Sequence, residues 1–292
     1  MKLRELRHNF WNLGFIEEGL ADTLKNKNPK MHWVKKRIND RWFADPFILD
    51  VTESEIIILA EEYCYDIRRG RIARVVIDCK TFEEKGFEII LDLPTHLSFP
   101  FIIRQNGKVY LIPENSASGC STVYEYDDAT RKLTPLHHLA EEPFADATIF
   151  EMEGKSYLCT TMVPDTNSKS VKIYTFDREN LKVAERVATV EFPILCGRNA
   201  GEVFAVDGHL YRPAQDCTLR YGHGVILQKI TMKDGKWSFE DVNSFYPNTF
   251  KYNHGVHTFN NYKGLIVIDV RGYRNPVMGR VLTFLFKLIG KK

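Results

Sequence analysis

The sequence predicts an all-β protein built from five similar units. Five short segments resemble one another (ADPFI, SFPFI, ADATI, NAGEV and, more weakly, HGVHT), and their central residues stand at positions 46, 100, 147, 201 and 255. Each centre is followed by a turn residue and then by a stretch rich in β-branched and aromatic residues; the turn residues are Glu53, Gly107, Gly154, Gly208 and Gly264. Every unit therefore begins with a strand, a tight turn and a second strand.

The spacing of the units indicates how they are arranged. The centres are 54, 47, 54 and 54 residues apart, and further strand-like stretches such as RIARVVID and SVKIYTFD fill each period. Periods near 50 residues with several strands each are typical of propeller blades, whereas helical solenoids would show a 3.6-residue periodicity. We therefore predict a five-bladed β-propeller with blades starting near residues 44, 98, 145, 199 and 253. A β-sandwich pair or a β-helix is the alternative, but neither predicts so regular a spacing.

The chain ends are expected to complete this single domain of residues 1–292. Residues 1–43 precede the first blade and contain one strand, Asn9–Ile16, which would pair in the last blade and close the ring, because an unpaired edge strand is a liability. Residues 279–292 predict a short amphipathic helix with basic residues at its end. We expect this helix to dock on the ring; contact of residues 281–292 with a membrane surface is the alternative.

Composition and charge narrow the classes of function. The 292 residues are 44% hydrophobic and 27% charged, which is typical of a globular protein. With 40 Lys and Arg against 38 Asp and Glu, the net charge of +2 removes the strongest argument for a nucleic-acid partner. The N-terminus lacks the apolar core of a signal peptide, and the six cysteines are scattered singly. We therefore expect reduced thiols and a cytoplasmic location.

The repeat also predicts where functional side chains gather. The first two strands of a blade are antiparallel, so the start of one lies beside the end of the other on one face of the disc. Five blades would bring these positions to one central mouth. Acidic, amide, aromatic and basic side chains at these positions suit a sugar, and the predicted substrate-binding residues are Glu62, Phe99, Arg198, Asn199, Arg212, Gln215, Asp216 and His254.

Three carboxyl groups are candidates for cleavage of a glycosidic bond. An inverting glycosidase needs a protonated acid and a carboxylate that activates water, about 6.5–9.5 Å apart. A third carboxylate nearby can raise the pKa of the acid. Asp45, Asp146 and Glu114 could serve as base, pKa modulator and acid. The two Asp residues could equally be structural, because an Asp at a strand start commonly accepts hydrogen bonds from local N–H groups.

No cofactor is predicted. His254 and His257 are three residues apart, and this spacing on a strand points two side chains to opposite faces. A lone structural ion in the channel, held by His254, is the alternative.

The order of several motifs resembles a known family. WNLGF (11–15), FADPF (43–47), HLSFPFI (96–102), YLIPE (110–114), DATIF (146–150), RNAG (198–201) and LYRPAQDC (210–217) are similar to the N-terminal domain of glucosamine inositolphosphorylceramide transferases, which stand-alone bacterial proteins share. In the plant enzymes a separate glycosyltransferase domain follows, and some relatives are fused to formyltransferase-like domains. The fold is similar to the five-bladed propellers of arabinanases and β-xylosidases, and Asp45 matches their first catalytic Asp.

Two functions follow from these observations. The first is a glycosidase-like enzyme that acts on a sugar or glycoconjugate through Asp45, Glu114 and Asp146. The second is a non-catalytic carbohydrate-binding or scaffold module that assists a partner glycosyltransferase or formyltransferase. A catalytic mouth should contain a carboxyl group with a raised pKa, whereas in a binding mouth Arg198 and Arg212 should neutralise the carboxylates.

Overall fold

The sequence folds into five antiparallel sheets of four strands each, arranged as blades around a central channel. A computed structural model describes residues 9–36, 40–247 and 249–288. Four of the sheets are simple meanders, in which consecutive strands of the chain are hydrogen-bonded neighbours. The predicted five-bladed β-propeller is confirmed.

Four blades are continuous in sequence. Blade I contains β3 (Arg41–Val51), β4 (Glu55–Cys64), β5 (Gly70–Asp78) and β6 (Glu84–Leu91). Blade II contains β7 (Ser98–Gln105), β8 (Lys108–Glu114), β9 (Ser121–Asp127) and β10 (Lys132–Ala140). Blade III contains β11 (Phe144–Met152), β12 (Lys155–Met162), β13 (Ser170–Asp177) and β14 (Lys182–Glu191). Blade IV contains β15 (Phe204–Val206), β16 (His209–Asp216), β17 (Gly224–Lys233) and β18 (Lys236–Phe245).

Blade V joins the two ends of the chain. Its strands, in spatial order, are β19 (Phe259–Tyr262), β20 (Leu265–Tyr273), β1 (Asn9–Ile16) and β2 (Met31–Trp33). β1 pairs with β20 along its whole length, from Asn9 opposite Tyr273 to Ile16 opposite Ile266. The predicted closing strand is therefore confirmed, and it covers the edge that β20 would otherwise leave open.

The same irregularity recurs in the innermost strand of blades I, II and III. The register with the second strand shifts between Ala44 and Phe47, between Ser98 and Phe101, and between Ala145 and Thr148. Within these bulges the φ angles are 48° at Asp45, 41° at Phe99 and 49° at Asp146, which is uncommon for residues other than glycine. The bulge directs each of these three side chains away from the ordinary alternation of the strand.

The core lies between neighbouring blades. Alternate strand residues point into these layers, and clusters of aromatic and aliphatic side chains bridge adjacent sheets. Phe47 of blade I packs edge-to-face against Phe99 of blade II, for example, at 4.9 Å between ring centroids. These layers fix the angle between blades and therefore the positions of the residues around the channel.

Two helices complete the described residues. α1 (Leu20–Thr23) is a single turn between β1 and β2. The predicted C-terminal helix is confirmed as α2 (Pro276–Leu288), although it begins at Pro276 rather than at residue 279. Residues 289–292 of the predicted helix, and residues 1–8 and 37–39 of the predicted lead-in, lie outside the described residues. Within the described part of the chain, neither helix has the length and apolar character that crossing a membrane requires.

Candidate functional site

One mouth of the channel is rich in carboxyl groups. The starts of the inner strands supply Asp45 and Asp146, and the ends of the second strands supply Glu61, Glu114 and Asp269. Burial raises the pKa of Glu61, and the charges of the other four groups, which lie close by, raise it further. The cations that face them are Arg198 and His257, so acidic groups outnumber basic ones among the described residues of this cluster.

Arg198 donates two hydrogen bonds to the carboxyl group of Asp146. Arg198 Nε donates to Asp146 Oδ2 at 2.5 Å and Arg198 Nη2 donates to Oδ1 at 3.2 Å. Gln215 Nε2 donates to the same Oδ2 at 2.9 Å. Burial raises the pKa of Asp146 to about 7, while the charge of Arg198 opposes that rise. Both oxygens of this carboxyl group are therefore occupied by the protein itself.

Arg212 belongs to a buried hydrogen-bond network that supports Asn199. Its side chain is fully buried, and Nε donates to Asn199 Oδ1 at 2.6 Å while Nη1 donates to Gln228 Oε1 at 2.6 Å. Nη2 donates to the backbone oxygen of Gly197. Asn199 in turn donates through Nδ2 to the backbone oxygen of Asp146 at 2.7 Å. Arg212 therefore fixes Asn199 and does not itself neutralise a carboxylate of the mouth.

A second network holds Asp45. Its Oδ1 accepts a hydrogen bond from Thr258 Oγ1 at 2.7 Å and its Oδ2 accepts one from the backbone N–H of Phe99 at 3.2 Å. His257 lies between two carboxylates, with Nδ1 2.6 Å from Asp269 Oδ2 and Nε2 3.6 Å from Asp45 Oδ1. The ring of Trp11 stacks on His257 at 4.0 Å between centroids.

The charges in this network stabilise one another. Burial alone would lower the pKa of His257, but the carboxylates of Asp269 and Asp45 outweigh it, and the pKa is raised. Burial likewise would raise the pKa of Asp269, but the charge and hydrogen bonds of His257 lower it. The two residues therefore form a buried ion pair whose remaining oxygen is satisfied by backbone N–H groups of His257 and Thr258.

Three side chains could hold a cation in the channel. Asp45, His257 and Asp269 each offer one ligand atom, and these atoms lie within 4.8 Å of one another. A metal ion would have to displace the proton that His257 shares with its carboxylates. His254, the sequence-predicted ligand, is not part of this group: it packs against Tyr273 at 4.1 Å, and burial together with nearby arginines lowers its pKa to about 4.

At the end of β4 it is Glu61, and not Glu62, that faces the mouth. Sequence analysis selected its neighbour Glu62, but Glu62 is fully buried on the opposite face of β4, where it pairs with Arg41 at 2.8 Å and Arg71 at 3.0 Å. Glu61 Oε1 has no hydrogen-bond partner among the described residues, although His96 Nε2 lies 3.3 Å away. Burial and four nearby carboxylates raise the pKa of Glu61 well above its usual range.

The other predicted residues occupy varied positions. Glu114 is half-buried at the mouth and accepts hydrogen bonds from Ser98 Oγ and from the backbone N–H of Ser116, both at 3.0 Å. Asp216 is turned away and accepts a hydrogen bond from Tyr246 at 2.9 Å. Of the eight predicted substrate-binding residues, six have buried side chains: Glu62, Phe99, Asn199, Arg212, Gln215 and Asp216.

Tyr221 provides an aromatic surface at the mouth. It is 38% exposed, and the guanidinium of Arg198 lies 5.3 Å from the centre of its ring. Its other neighbour is His257, whose ring meets it edge-on at 5.3 Å. The strand repeat does not predict this residue, because Tyr221 lies in the loop between β16 and β17.

Solved structures with the same fold are five-bladed propellers. A GH43 β-xylosidase/α-arabinofuranosidase from a compost microbial metagenome, in complex with xylotriose, has a TM-score of 0.53 at 14% identity and matches 79% of this chain and 86% of its own. A GH43_1 enzyme from Xanthomonas citri has a TM-score of 0.54 at 11% identity, with 80% and 88% covered. At these sequence identities the similarity shows a shared fold.

Sequence relatives are found among plant proteins. The chain is 27% identical over 195 residues to glucosamine inositolphosphorylceramide transferase 1 of Oryza sativa subsp. indica, covering 64% of this chain and 26% of that protein. It is 28% identical over 197 residues to the enzyme of the same name from Arabidopsis thaliana, covering 65% and 25%. The chain thus spans about a quarter of the length of these curated relatives.

The family match covers most of the propeller. It extends over residues 32–264, from β2 in blade V through blades I to IV and back to the β19–β20 turn of blade V. It therefore includes the mouth residues from Asp45 to His257. The chain belongs to the family described as glucosamine inositolphosphorylceramide transferase 1, N-terminal.

Proposed function

We propose that the mouth of the propeller recognises a sugar or glycoconjugate. The observation that carries this proposal is the exposed ring of Tyr221 beside Arg198, with the carboxyl groups of Glu61 and Glu114 in the same cluster. A flat aromatic ring accepts the apolar face of a sugar, and charged groups around it bind hydroxyl groups through strong hydrogen bonds. The sugar complexes of neighbouring propellers are consistent with such a ligand.

Binding explains the two buried aspartates better than catalysis does. A base that activates water needs a carboxylate oxygen open to that water. Asp45 and Asp146 are only 3% and 2% exposed, and each of their oxygens already accepts a hydrogen bond from the protein. We infer that these residues hold Thr258, His257 and Arg198 in place and that the more exposed residues contact the ligand.

Calorimetric titration with a sugar panel tests this proposal. The panel should include xylose- and galactose-based oligosaccharides and glucosamine, since these occur in the names of the neighbours and relatives. Tyr221→Ala should weaken binding about tenfold or more, equal to about 1.4 kcal/mol, whereas Tyr221→Phe keeps the ring and should bind nearly as well as the unaltered protein. Phe250→Ala, which removes an exposed ring elsewhere, is the matched control.

Two results of this titration would contradict the proposed sugar site. If no sugar of the panel binds, or if Tyr221→Ala binds as tightly as the unaltered protein, the mouth is not a sugar site centred on this ring.

Glycoside hydrolysis is the second candidate, and the raised pKa of Glu61 favours it. A carboxyl group with a raised pKa can act as a general acid. Asp45 would serve as the base only if one of its oxygens were released from Thr258 or from the N–H of Phe99. If a panel of glycosides is turned over, Glu61→Gln and Asp45→Asn should each abolish turnover while binding stays measurable. Retained turnover in Glu61→Gln with loss in Glu114→Gln would return the acid role to Glu114.

The family name adds a further proposal about partners. The curated relatives are transferases four times as long as the matched region, so transfer activity itself belongs to those proteins. We propose that this chain presents a glycoconjugate to a partner glycosyltransferase or a formyltransferase-like protein. The apolar side chains that α2 exposes, Phe284 and Leu288 among them, would hold this protein at a membrane surface.

A further inference from the structure

A cavity opens between blades I and V, on the face of the ring that also carries the carboxyl-rich mouth. Its volume is about 520 Å³, and it is lined in part by Phe10 and Asn12 of β1 and by Tyr65 and Arg274, which follow the ends of β4 and β20. Successive side chains of a strand point to opposite faces. β1 therefore turns Phe10 and Asn12 into the cavity while the ring of Trp11 stacks on His257 at the mouth.

The lining is basic. None of the described residues around the cavity is Asp or Glu. Arg41 is neutralised by Asp40 and Glu62, and Lys35 lies 3.7 Å from Glu83. Three further cationic side chains have no ion-pair partner within 4.0 Å among the residues that the structure describes: Lys36, Lys251 and Arg274. Three cations without an ion-pair partner around one cavity favour an anion with more than one charge or several acceptor oxygens.

Lys36 lies deepest of the three. Its Nζ donates to the backbone oxygen of Trp11 at 2.5 Å, and the ammonium lies 5.3 Å from the centre of the Phe10 ring. Burial lowers the pKa of Lys36 to about 7; the charge of Glu84 opposes this effect and the charge of Lys251 adds to it. An anion in the cavity would stabilise the charged form of Lys36, so the site gains more from an anionic ligand than from a neutral one.

The cavity also offers neutral contacts. Asn12 is 1% exposed, and its Nδ2 donates to the backbone oxygen of Val34 and to Tyr252 Oη, both at 3.0 Å. Its Oδ1 has no hydrogen-bond partner among the described residues. Phe10, Trp33 and Tyr252 supply aromatic walls. The space is far larger than one phosphate group needs, and the free acceptor suits a hydroxyl group on the organic part of a ligand.

We propose that this cavity binds a phosphate ester. Lys36, Lys251 and Arg274 contact the phosphate oxygens, and Asn12 Oδ1 accepts a hydrogen bond from a hydroxyl group of the alcohol portion. The ester is either a soluble molecule or the headgroup of an anionic lipid. The site is separate from the proposed sugar site, so it does not depend on sugar recognition by Tyr221.

Two probes test the proposal and distinguish the sources. The first is sn-glycerol 3-phosphate, titrated in a calorimeter at low salt. The second is co-sedimentation with phosphatidylcholine vesicles that contain or lack phosphatidylglycerol. The test variant carries Lys251→Gln and Arg274→Gln, both on exposed side chains, so the fold should be preserved. The control carries Lys233→Gln and Lys236→Gln in the β17–β18 hairpin of blade IV, which removes the same charge elsewhere.

The expected result is saturable binding of at least one probe that the test variant weakens about tenfold or more and the control leaves within about twofold. Binding of glycerol phosphate identifies a soluble ester, and binding only to vesicles with phosphatidylglycerol identifies a lipid headgroup. If neither probe binds, or if both variants lose binding equally, the proposal is wrong. Loss of binding in Tyr221→Ala with normal binding in the test variant would overturn it as well.

Discussion

Glu61 and Glu62 are sequence neighbours with opposite electrostatic environments. Glu62 is fully buried, but two arginines compensate its charge. Glu61 faces four other carboxyl groups, and among the described residues no arginine forms an ion pair with it. Burying a carboxylate without a cation is costly, so the pKa of Glu61 is raised. The two faces of one strand thus give neighbouring glutamates opposite electrostatic environments.

This difference predicts an effect of pH on stability. The pKa of Glu61 is raised in the folded state, so the folded protein binds this proton more tightly than the unfolded chain does. Its contribution is present at acidic pH and is lost as the pH rises through the folded-state pKa. Glu61→Gln should therefore raise Tm at about pH 8, by roughly 2–4 °C for each kcal/mol gained, and change it little at about pH 4. Differential scanning calorimetry at both pH values measures this.

Glu62→Gln is the matched control for that measurement. It leaves Arg41 and Arg71 without their buried partner and should lower Tm at neutral pH. A lower Tm for Glu61→Gln at about pH 8 would mean that Glu61 is ionised and paired in the folded protein.

For individual residues, the strand repeat predicts only part of the candidate site. It located Asp45, Asp146 and Glu114 because strand starts and strand ends follow the period. It did not separate Glu61 from Glu62, because the alternation of a strand gives two faces without saying which one the bulge turns towards the channel. Nor did it show that Arg212 is buried, because the backbone oxygens that hold it belong to the irregular segment before β15.

Among the elements, α2 is amphipathic with its apolar face uncovered. Leu282 is buried against the ring and Thr283 forms a hydrogen bond with Tyr273 at 2.7 Å. The exposed apolar side chains of the helix are Val277, Met278, Val281, Phe284, Leu285 and Leu288. The helix thus docks through a narrow stripe, as expected, and leaves a broad apolar surface in water.

Replacing two of those side chains tests whether the helix contacts lipid. Phe284→Ser combined with Leu288→Ser should reduce co-sedimentation with phosphatidylcholine and phosphatidylglycerol vesicles about tenfold or more, because apolar burial contributes about 25 cal/mol per Å². Val187→Ser, at a 44% exposed valine on β14, is the control. Equal sedimentation of both variants and the unaltered protein would show that the helix face does not bind lipid.

The elements that sequence analysis predicted best are those with clear periodicity. β1 has the predicted bounds, Asn9–Ile16, and its alternate side chains fill two neighbouring core layers. β2 (Met31–Trp33) was not predicted, because three residues are too few to display an alternation. α2 starts earlier than expected, since Pro276 occupies the first turn, where proline fits a helix well.

At the scale of the whole molecule, β1 closes the ring of five blades by pairing with β20 in blade V. Ile16 packs with Phe259 and Ile268 within blade V, and Leu13 packs with Ile58 of blade I. One short strand therefore contributes to the core layers on both sides of the closure. A ring held in this way should unfold as a unit rather than blade by blade.

Leu13→Ala tests that cooperativity. Leu13 is 1% exposed, so the substitution should lower the free energy of unfolding by roughly 2–5 kcal/mol. We expect one transition in urea whether it is followed by far-ultraviolet circular dichroism or by fluorescence, to which Trp11 and Trp33 of blade V, Trp42 of blade I and Trp237 of blade IV contribute. Leu136→Ala, at an exposed leucine of β10, should change stability by less than about 0.5 kcal/mol. Separate midpoints for the two signals would mean that the ring does not unfold as a unit.

The pairing of β1 with β20 also has a consequence for synthesis. Of the strands in the ring, β1 leaves the ribosome first, whereas its partner β20 follows about 250 residues later. At roughly 5–20 residues per second, this delay is on the order of 10–50 s. Throughout that time the backbone of β1 has β2 as its hydrogen-bonding neighbour on one edge and none on the other. Blades I to IV can form while the chain emerges, and the ring can be sealed only after β20 has been made.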